Sequence, residues 1–218
     1  ITDGWYDYDA KYKPGGSRHE CPAKLPAEIE QACLDYALRA ACATDDRLCE
    51  LRSQPIEQFE AALKRQGEGE VPVLYTLGTT WAGYIQLNSS DWGAVGELGR
   101  VDAIMRRVVA LNEGYEQGQA HMYLGVLNSI LPEALGGQPE QARTHFERAI
   151  ELSKGRNLMA QTLYAERYAR LMFDQELHDR LLQAVLAADP TEHGLTLQNT
   201  VAQRDARRLL DSSAAYFE

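Results

Sequence analysis

Residues 131–157, LPEALGGQPEQARTHFERAIELSKGRN, lead from a loop into the most regular amphipathic helix of the chain. Ala142, Phe146 and Ala149 recur there at helical spacing. Small residues allow a neighbouring helix to approach closely, and the aromatic ring fills the gap to the next helix pair. The pattern is therefore typical of the second helix of a tetratricopeptide repeat.

The loop before this helix, LPEALGG at residues 131–137, is longer than a plain repeat needs. Pro132 is expected to end the preceding helix, and Gly136 and Gly137 permit the chain to reverse. From Gly125 to Ala142 the step is about five residues longer than in a regular repeat. A role for this loop in shaping the mouth of a cavity is a hypothesis.

Two further helix ends resemble FERAIELSKGR, which starts at Phe146: MRRVVALNEGY from Met105 and LLQAVLAADPT from Leu182. The spacings of 41 and 36 residues approach the period of about 34 in tetratricopeptide repeats. The chain is therefore predicted to contain degenerate repeats of this kind.

Apolar residues recur at helical spacing from residue 26 almost to the end, and sustained alternation typical of β-strands is not found. The predicted fold is all-α, with residues 26–218 forming about nine helices in antiparallel pairs. Residues 1–25 are predicted to be an extended arm because they are rich in Gly, Pro and Tyr without periodicity. From caps and breakers, helices are expected at about 26–43, 46–64 with a division at Pro55, 71–90, 91–112, 115–130, 139–153, 158–173, 174–188 and 195–213.

The arm carries Trp5, Tyr6, Tyr8 and Tyr12. It could fold over a groove, dock a neighbouring subunit, or be the remainder of a lipoprotein tether. Its first residues lack the basic start and apolar core of a signal peptide.

Composition excludes several classes of function. A net charge of -10 leaves no basic stripe for nucleic acid or anionic lipid headgroups. The longest uncharged run, residues 71–90, has twenty residues but is too polar for an isolated membrane span.

The four cysteines, Cys21, Cys33, Cys42 and Cys49, all lie in the first quarter of the chain. Even, clustered cysteines favour two disulfides and an oxidising compartment over free buried thiols. The expected pairs are Cys42 with Cys49 and Cys21 with Cys33, although the sequence allows three connectivities.

Catalytic and metal-binding motifs are not found. The five histidines are scattered, and no nucleophile elbow or phosphate-binding loop occurs. We therefore expect that the protein is not an enzyme and that it has no catalytic residues, metal site or cofactor.

Two helices without charge, residues 71–90 and 117–132, are predicted to lie at the centre of the protein. In one interpretation they simply form the core. In the other they line an apolar cavity for a lipid-like ligand, with ring faces, apolar side chains and a few polar groups that orient one end of it. The candidate residues are Trp81, Tyr84, Tyr123, Met122, Leu127, Thr80, His121 and Asn128.

From His121 to Leu210 the chain resembles the T-component (TatT) proteins associated with TRAP transporters. The resemblance covers about residues 70–213. It is carried by Gly125, Pro132, the Leu135-Gly136-Gly137 triplet, the Ala142, Phe146 and Ala149 pattern, the YAERYAR helix and the late LQN with Ala202. The four-cysteine N-terminal quarter departs from the family pattern.

The resemblance implies a periplasmic, usually lipid-anchored, all-helical protein with an apolar cavity, tethered to the outer membrane. It implies a periplasmic solute-binding protein as partner and a hydrophobic, lipid-like ligand, with a sterol as the narrower hypothesis. A homo-oligomer is a further hypothesis that does not come from the resemblance. The leading hypothesis is a non-catalytic binding and transfer component. The alternative is a tetratricopeptide-type scaffold that binds a protein partner and no small molecule.

Overall fold

The computed structural model describes residues 27–218, so the predicted arm and Cys21 lie outside the described part of the chain. Every regular element within that part is helical, which confirms the all-α fold. Eleven α-helices are present there, two of which have only 4 and 5 residues. The nine longer helices agree with the predicted number.

The first half of the described chain forms α1 Ala27–Thr44, α2 Ile56–Lys64, α3 Val71–Leu87, α4 Trp92–Val95 and α5 Leu98–Asn112. Asp91 caps α4, since its side chain accepts a hydrogen bond from the Gly93 backbone N–H at 2.8 Å. The prediction of a continuous helix before Pro55 is wrong. Two short 3₁₀ segments, Asp46–Leu48 and Leu51–Ser53, replace it, with Glu50 between them in a left-handed conformation.

The second half forms α6 Gln119–Asn128, α7 Pro139–Leu152, α8 Leu158–Leu163, α9 Gln175–Ala187, α10 Thr196–Asp211 and α11 Ser213–Phe217. Helix α8 continues directly into a π-helical segment, Tyr164–Ala169. The predicted helix over 158–173 is therefore correct in extent but not regular throughout.

Helix α6 begins later than the predicted position, Tyr115. Glu116, Gln117 and Gly118 have positive φ angles of 47°, 58° and 79°, so the chain turns before the helix starts. A Cβ at Gly118 would lie 2.7 Å from Leu152, and only glycine fits against the end of α7. At its other end α6 stops at Asn128, ahead of Pro132.

Helices α6 and α7 pack antiparallel, as predicted. The Gln138 backbone N–H donates to Asn128 O at 3.2 Å at one end, and Gly118 meets Leu152 at the other. Between them the Phe146 ring lies directly on Gly125, where a Cβ would come within 2.9 Å of three ring atoms. The small residue on α6 therefore permits the close approach that the repeat pattern predicts.

Phe146 also connects this pair to the next helix. Its ring stacks on Tyr164 with centroids 5.2 Å apart, and Ala142 and Ala149 are buried beside it. The aromatic residue of the repeat pattern thus fills the gap between successive pairs, as expected.

The last helices are tied together by Asn199, the asparagine of the LQN triplet. Its fully buried side chain accepts from the Leu158 N–H at 3.0 Å and donates to Arg156 O and Pro190 O at 2.9 and 3.2 Å. Asn199 on α10 therefore fixes the start of α8 and the loop after α9.

The two uncharged helices differ in burial. No residue from 119 to 129 is exposed, so α6 is enclosed as predicted. Helix α3 buries Leu74, Leu77 and Trp81 but leaves Thr76 and Gln86 at the surface.

One of the two expected disulfides is present. Cys42 and Cys49 are bonded, with Cα atoms 4.4 Å apart. The second expected pair, Cys21 with Cys33, includes a residue outside the described part of the chain. Within residues 27–218 Cys33 is free, and it lies on the exposed side of α1, whereas Leu34 and Ala37 face the core.

Candidate functional site

A cleft of about 330 Å³ lies between α5, the end of α6 and the loop that follows it. We call it the loop cleft. It is lined by Leu98, Gly99, Asp102, Arg106, Leu127, Asn128, Ile130, Leu131, Gly136, Gly137 and Gln138.

One wall of the loop cleft is aliphatic. Leu98 on α5 faces Leu127, Ile130 and Leu131 from α6 and the loop. Ile130 and Leu131 are 48% and 45% exposed, although they are large apolar side chains. Exposed apolar side chains that gather along one concave surface are typical of a site for an apolar ligand.

The other end of the loop cleft is polar. Arg106 Nε donates to Asp102 Oδ2 at 2.6 Å, one helical turn away on α5. Asn128 is 8% exposed, and its Nδ2 donates to Leu124 O at 2.7 Å. The cleft therefore combines an apolar wall with an ion pair and a buried amide.

The two glycines of the loop have different roles. Gly136 has a φ of +89°, which the reversal requires. Gly137 has no room for a side chain, because a Cβ there would collide with the carbonyl of Leu131. The predicted reversal at these glycines is confirmed, and it brings the loop against α5 and α6.

The sequence-predicted ring faces lie in the core or at its edge, away from the loop cleft. Trp81 is fully buried, donates Nε1–H to Glu97 Oε2 at 2.8 Å, and meets Phe59 edge-on with centroids 6.1 Å apart. Tyr84 is partly buried, with the Arg52 guanidinium 4.9 Å from its ring centroid. Neither ring is among the lining residues.

Tyr123, Met122 and Thr80 also lie outside the lining of the loop cleft. Tyr123 packs against the core on both sides of α6, and burial raises the pKa of its phenol. Met122 is buried beside Phe146, and Thr80 is partly buried on α3. Of the eight predicted ligand-binding residues, Leu127 and Asn128 line the cleft.

His121, predicted as a polar group for the ligand, faces another histidine. Its Nδ1 lies 2.8 Å from Nδ1 of His145 on α7, and its Nε2 lies 3.5 Å from Glu113 Oε2. Burial lowers the pKa of both imidazoles, that of His145 to about 4. The close Nδ1 pair therefore requires at least one neutral ring.

Leu98, Asp102 and Arg106 were not among the site residues predicted from the sequence. They follow each other at intervals of four on α5 and so form one stripe of the helix. That spacing was visible in the sequence. Its meaning was not, because the cleft exists only once the loop closes over the stripe.

A second cleft of about 430 Å³ lies between α7, the π-helical segment and α9. We call it the α7–α9 groove. Its lining includes four charged side chains in two ion pairs, Arg143 with Glu147 at 2.9 Å and Arg180 with Glu176 at 3.9 Å. Tyr164 also donates to Glu147 at 3.2 Å. The groove is thus far more polar than the loop cleft.

Within residues 27–218, no group of three or more His, Cys, Asp or Glu side chains has the arrangement of a metal site. In the same range, no helix has both the length and the apolar character of a membrane span.

A family model described as "TRAP transporter T-component" matches residues 27–217. The match covers nearly all of the described chain and contains both clefts. It is the same family that the sequence motifs resemble.

A short stretch of 40 residues is similar to a different class of protein. It is 80% identical to D-alanine–D-alanine ligase from Cereibacter sphaeroides, 78% identical to that from Ruegeria pomeroyi and 72% identical to that from Roseobacter denitrificans. The stretch is 18% of this chain and spans only 12 to 13% of the ligases. The likeness was not predicted from the residue patterns, and it is too short to carry a whole protein's activity over to this chain.

Proposed function

This chain belongs to the TRAP transporter T-component family, and on that basis we propose that it is a non-catalytic component that binds a hydrophobic, lipid-like ligand. T-components are periplasmic, transport-associated proteins, and the family implies association with a TRAP transporter and its solute-binding protein. In this proposal the protein is tethered at the outer membrane and exchanges its ligand with the solute-binding protein.

The loop cleft is the observation that carries the proposal. Its volume of about 330 Å³ is near the lower end of the range of small-molecule sites, roughly 300–1,000 Å³. The wall formed by Leu98, Leu127 and Ile130 supplies apolar contact, which contributes about 25 cal/mol for each Å² removed from water. Asn128 and the ion pair of Arg106 with Asp102 supply the polar contacts that fix the orientation of a ligand.

In a second stage of binding, the ligand would move deeper, from the loop cleft to the aromatic residues predicted from the sequence. Contact with Trp81 would require α3 to move away from α1 or α5, the helices against which it packs, because Trp81 is fully enclosed. The loop cleft is then the entrance, and Leu127 is the residue shared by both positions.

Mass spectrometry after incubation with a bacterial lipid extract tests the proposal. The protein is expected to retain a lipid or sterol after gel filtration, whereas Ile130→Glu should lose it. Leu135→Glu is the matched control, because Leu135 is 68% exposed in the same loop but does not line the cleft. Recovery of no lipid above background, or equal retention by both variants, would contradict the proposal.

The α7–α9 groove favours a second candidate, a scaffold that binds a protein partner alone. Tyrosine hydroxyls and two ion pairs line this groove, which suits a polar peptide better than a lipid. Arg180→Glu should then abolish binding of the solute-binding protein, while Ile130→Glu should leave it unchanged. Lipid retention by the wild type that is lost in Ile130→Glu supports the ligand carrier instead.

A further inference from the structure

We infer that the loop cleft binds a single-chain amphiphile with an anionic head group, and that Arg106 pairs with this head group. The inference rests on the proposed function, because it assigns a ligand class to the same cleft. It rests on three observations: the volume of the loop cleft, the free edge of Arg106 and the amide of Asn128.

The apolar part of the cleft has room for one alkyl chain. Gly99 and Gly136 line it, and a Cβ placed on either glycine would meet no atom within 4 Å. No side chain therefore obstructs the cleft at these two positions. A volume of about 330 Å³ suits one chain better than the two chains of a phospholipid.

Arg106 presents an unused edge at the polar end. Its Nε donates to Asp102 Oδ2, while neither Nη group donates to any of the described residues. The side chain is 45% exposed, so this edge is accessible from the cleft. A guanidinium edge of this kind pairs bidentately with a carboxylate or phosphate.

Asn128 adds a second polar group to the lining of the loop cleft. Its Nδ2 uses one hydrogen on Leu124 O, and the other remains for a ligand oxygen. Its Oδ1 accepts no hydrogen bond from the described residues and is not a fully buried atom.

The charges at this end favour an anion over other head groups. Asp102 and Arg106 are the charged residues of the lining, and the ion pair already compensates Asp102. A cationic head group would be repelled by Arg106. A neutral head group would leave the free edge of the Arg106 guanidinium without a charged partner.

Isothermal titration calorimetry with laurate, dodecyl phosphate and dodecanol, all below their aggregation concentrations, tests the inference. The three probes share one chain length, so they differ only in the head group. At least one of the two anions should bind ten-fold or more tightly than dodecanol. The ratio of the affinities for laurate and dodecyl phosphate then identifies the preferred anion.

Two substitutions should change the affinity for the anions in opposite directions. Arg106→Gln should weaken it at least ten-fold, because a charge-assisted pair is lost. Asp102→Asn should strengthen it several-fold, because it removes the competing carboxylate. A purely structural role of the pair would not produce opposite signs.

Arg148→Gln is the matched control, since Arg148 pairs with Glu151 one helical turn away on α7 and lines neither the loop cleft nor the α7–α9 groove. It should leave anion binding unchanged. Equal affinity for dodecanol and the anions, or full affinity in Arg106→Gln, would overturn the inference and leave the proposed function standing. Binding of none of the three probes would also overturn the inference, whereas the proposed function is tested separately by retention of lipid from the extract.

Discussion

The Nδ1 atoms of His121 and His145 lie 2.8 Å apart, on two helices that are antiparallel. One ring must donate its proton and the other must accept it, so this contact requires a neutral imidazole. The surrounding charges are Glu113 and Arg148 beside His121, and Asp102 and Arg106 beside His145. Burial lowers the pKa of both rings despite the carboxylates, and that of His145 to about 4.

Acidification should therefore destabilise the protein through this pair. Between pH 6.5 and 4 the unfolded chain binds more protons than the folded chain, so the free energy of unfolding falls as the pH falls. The histidine pair should lower the free energy of unfolding by about 1 to 3 kcal/mol between pH 7 and 4.5. Urea unfolding at a series of pH values measures it.

Two histidine variants separate this effect from the titration of carboxylates. His145→Gln should reduce the pH dependence above pH 4.5, whereas exposed His193→Gln should retain it. An identical pH dependence in the wild type and His145→Gln would contradict the assigned role of the pair.

Gly125→Ala should destabilise the protein by about 1 to 2 kcal/mol, even though alanine favours helices. The new Cβ would come within 2.9 Å of the Phe146 ring, which is fully buried and cannot move aside easily. Gly83→Ala is the matched control on α3, since its Cβ would meet nothing within 4 Å. Chemical denaturation should show that Gly83→Ala is neutral or stabilising; a Gly125→Ala protein of equal stability would show that the close packing is unimportant.

The repeat pattern was readable because it depends on neighbours along the helix. The spacing of Ala142, Phe146 and Ala149 along one helix face predicted that they would pack against another helix, and all three are buried. The left-handed conformations of Glu116 and Gln117 were not readable, because non-glycine residues give no local signal for them. The start of α6 was therefore predicted four residues too early.

The candidate site was only partly predictable for a similar reason. Leu127 and Asn128 were chosen because they lie on an uncharged helix, and they do line the loop cleft. Trp81 was chosen on the same grounds, but its indole N–H is directed to Glu97 on another part of the chain. The His121–His145 pair is a tertiary contact that no spacing in the sequence indicates.

Asn199→Ala should cost about 2 to 4 kcal/mol of unfolding free energy. It removes the side chain that bonds Leu158 N–H, Arg156 O and Pro190 O, and so leaves buried backbone groups without partners. Leu197→Ala in the same triplet should change stability by less than about 0.5 kcal/mol, because Leu197 is 78% exposed. Equal thermal stability of the two variants would contradict the bridging role of Asn199.

Loss of the disulfide through Cys42→Ser with Cys49→Ser should cost about 2.5 kcal/mol by the loop-entropy relation. The bond closes a loop with a sequence separation of 7 residues. Cys33→Ser removes an exposed free thiol and should change little. Guanidinium unfolding under non-reducing conditions compares them, and a double variant as stable as Cys33→Ser would contradict a stabilising bridge.

A crystal structure of the protein loaded from a lipid extract tests ligand binding most directly. Continuous density for an alkyl chain is expected along Leu127 and Ile130, with its head group within hydrogen-bond distance of Arg106 or Asn128. A loop cleft that holds only ordered water, in crystals grown with excess lipid, would contradict a ligand-carrying role for this cleft.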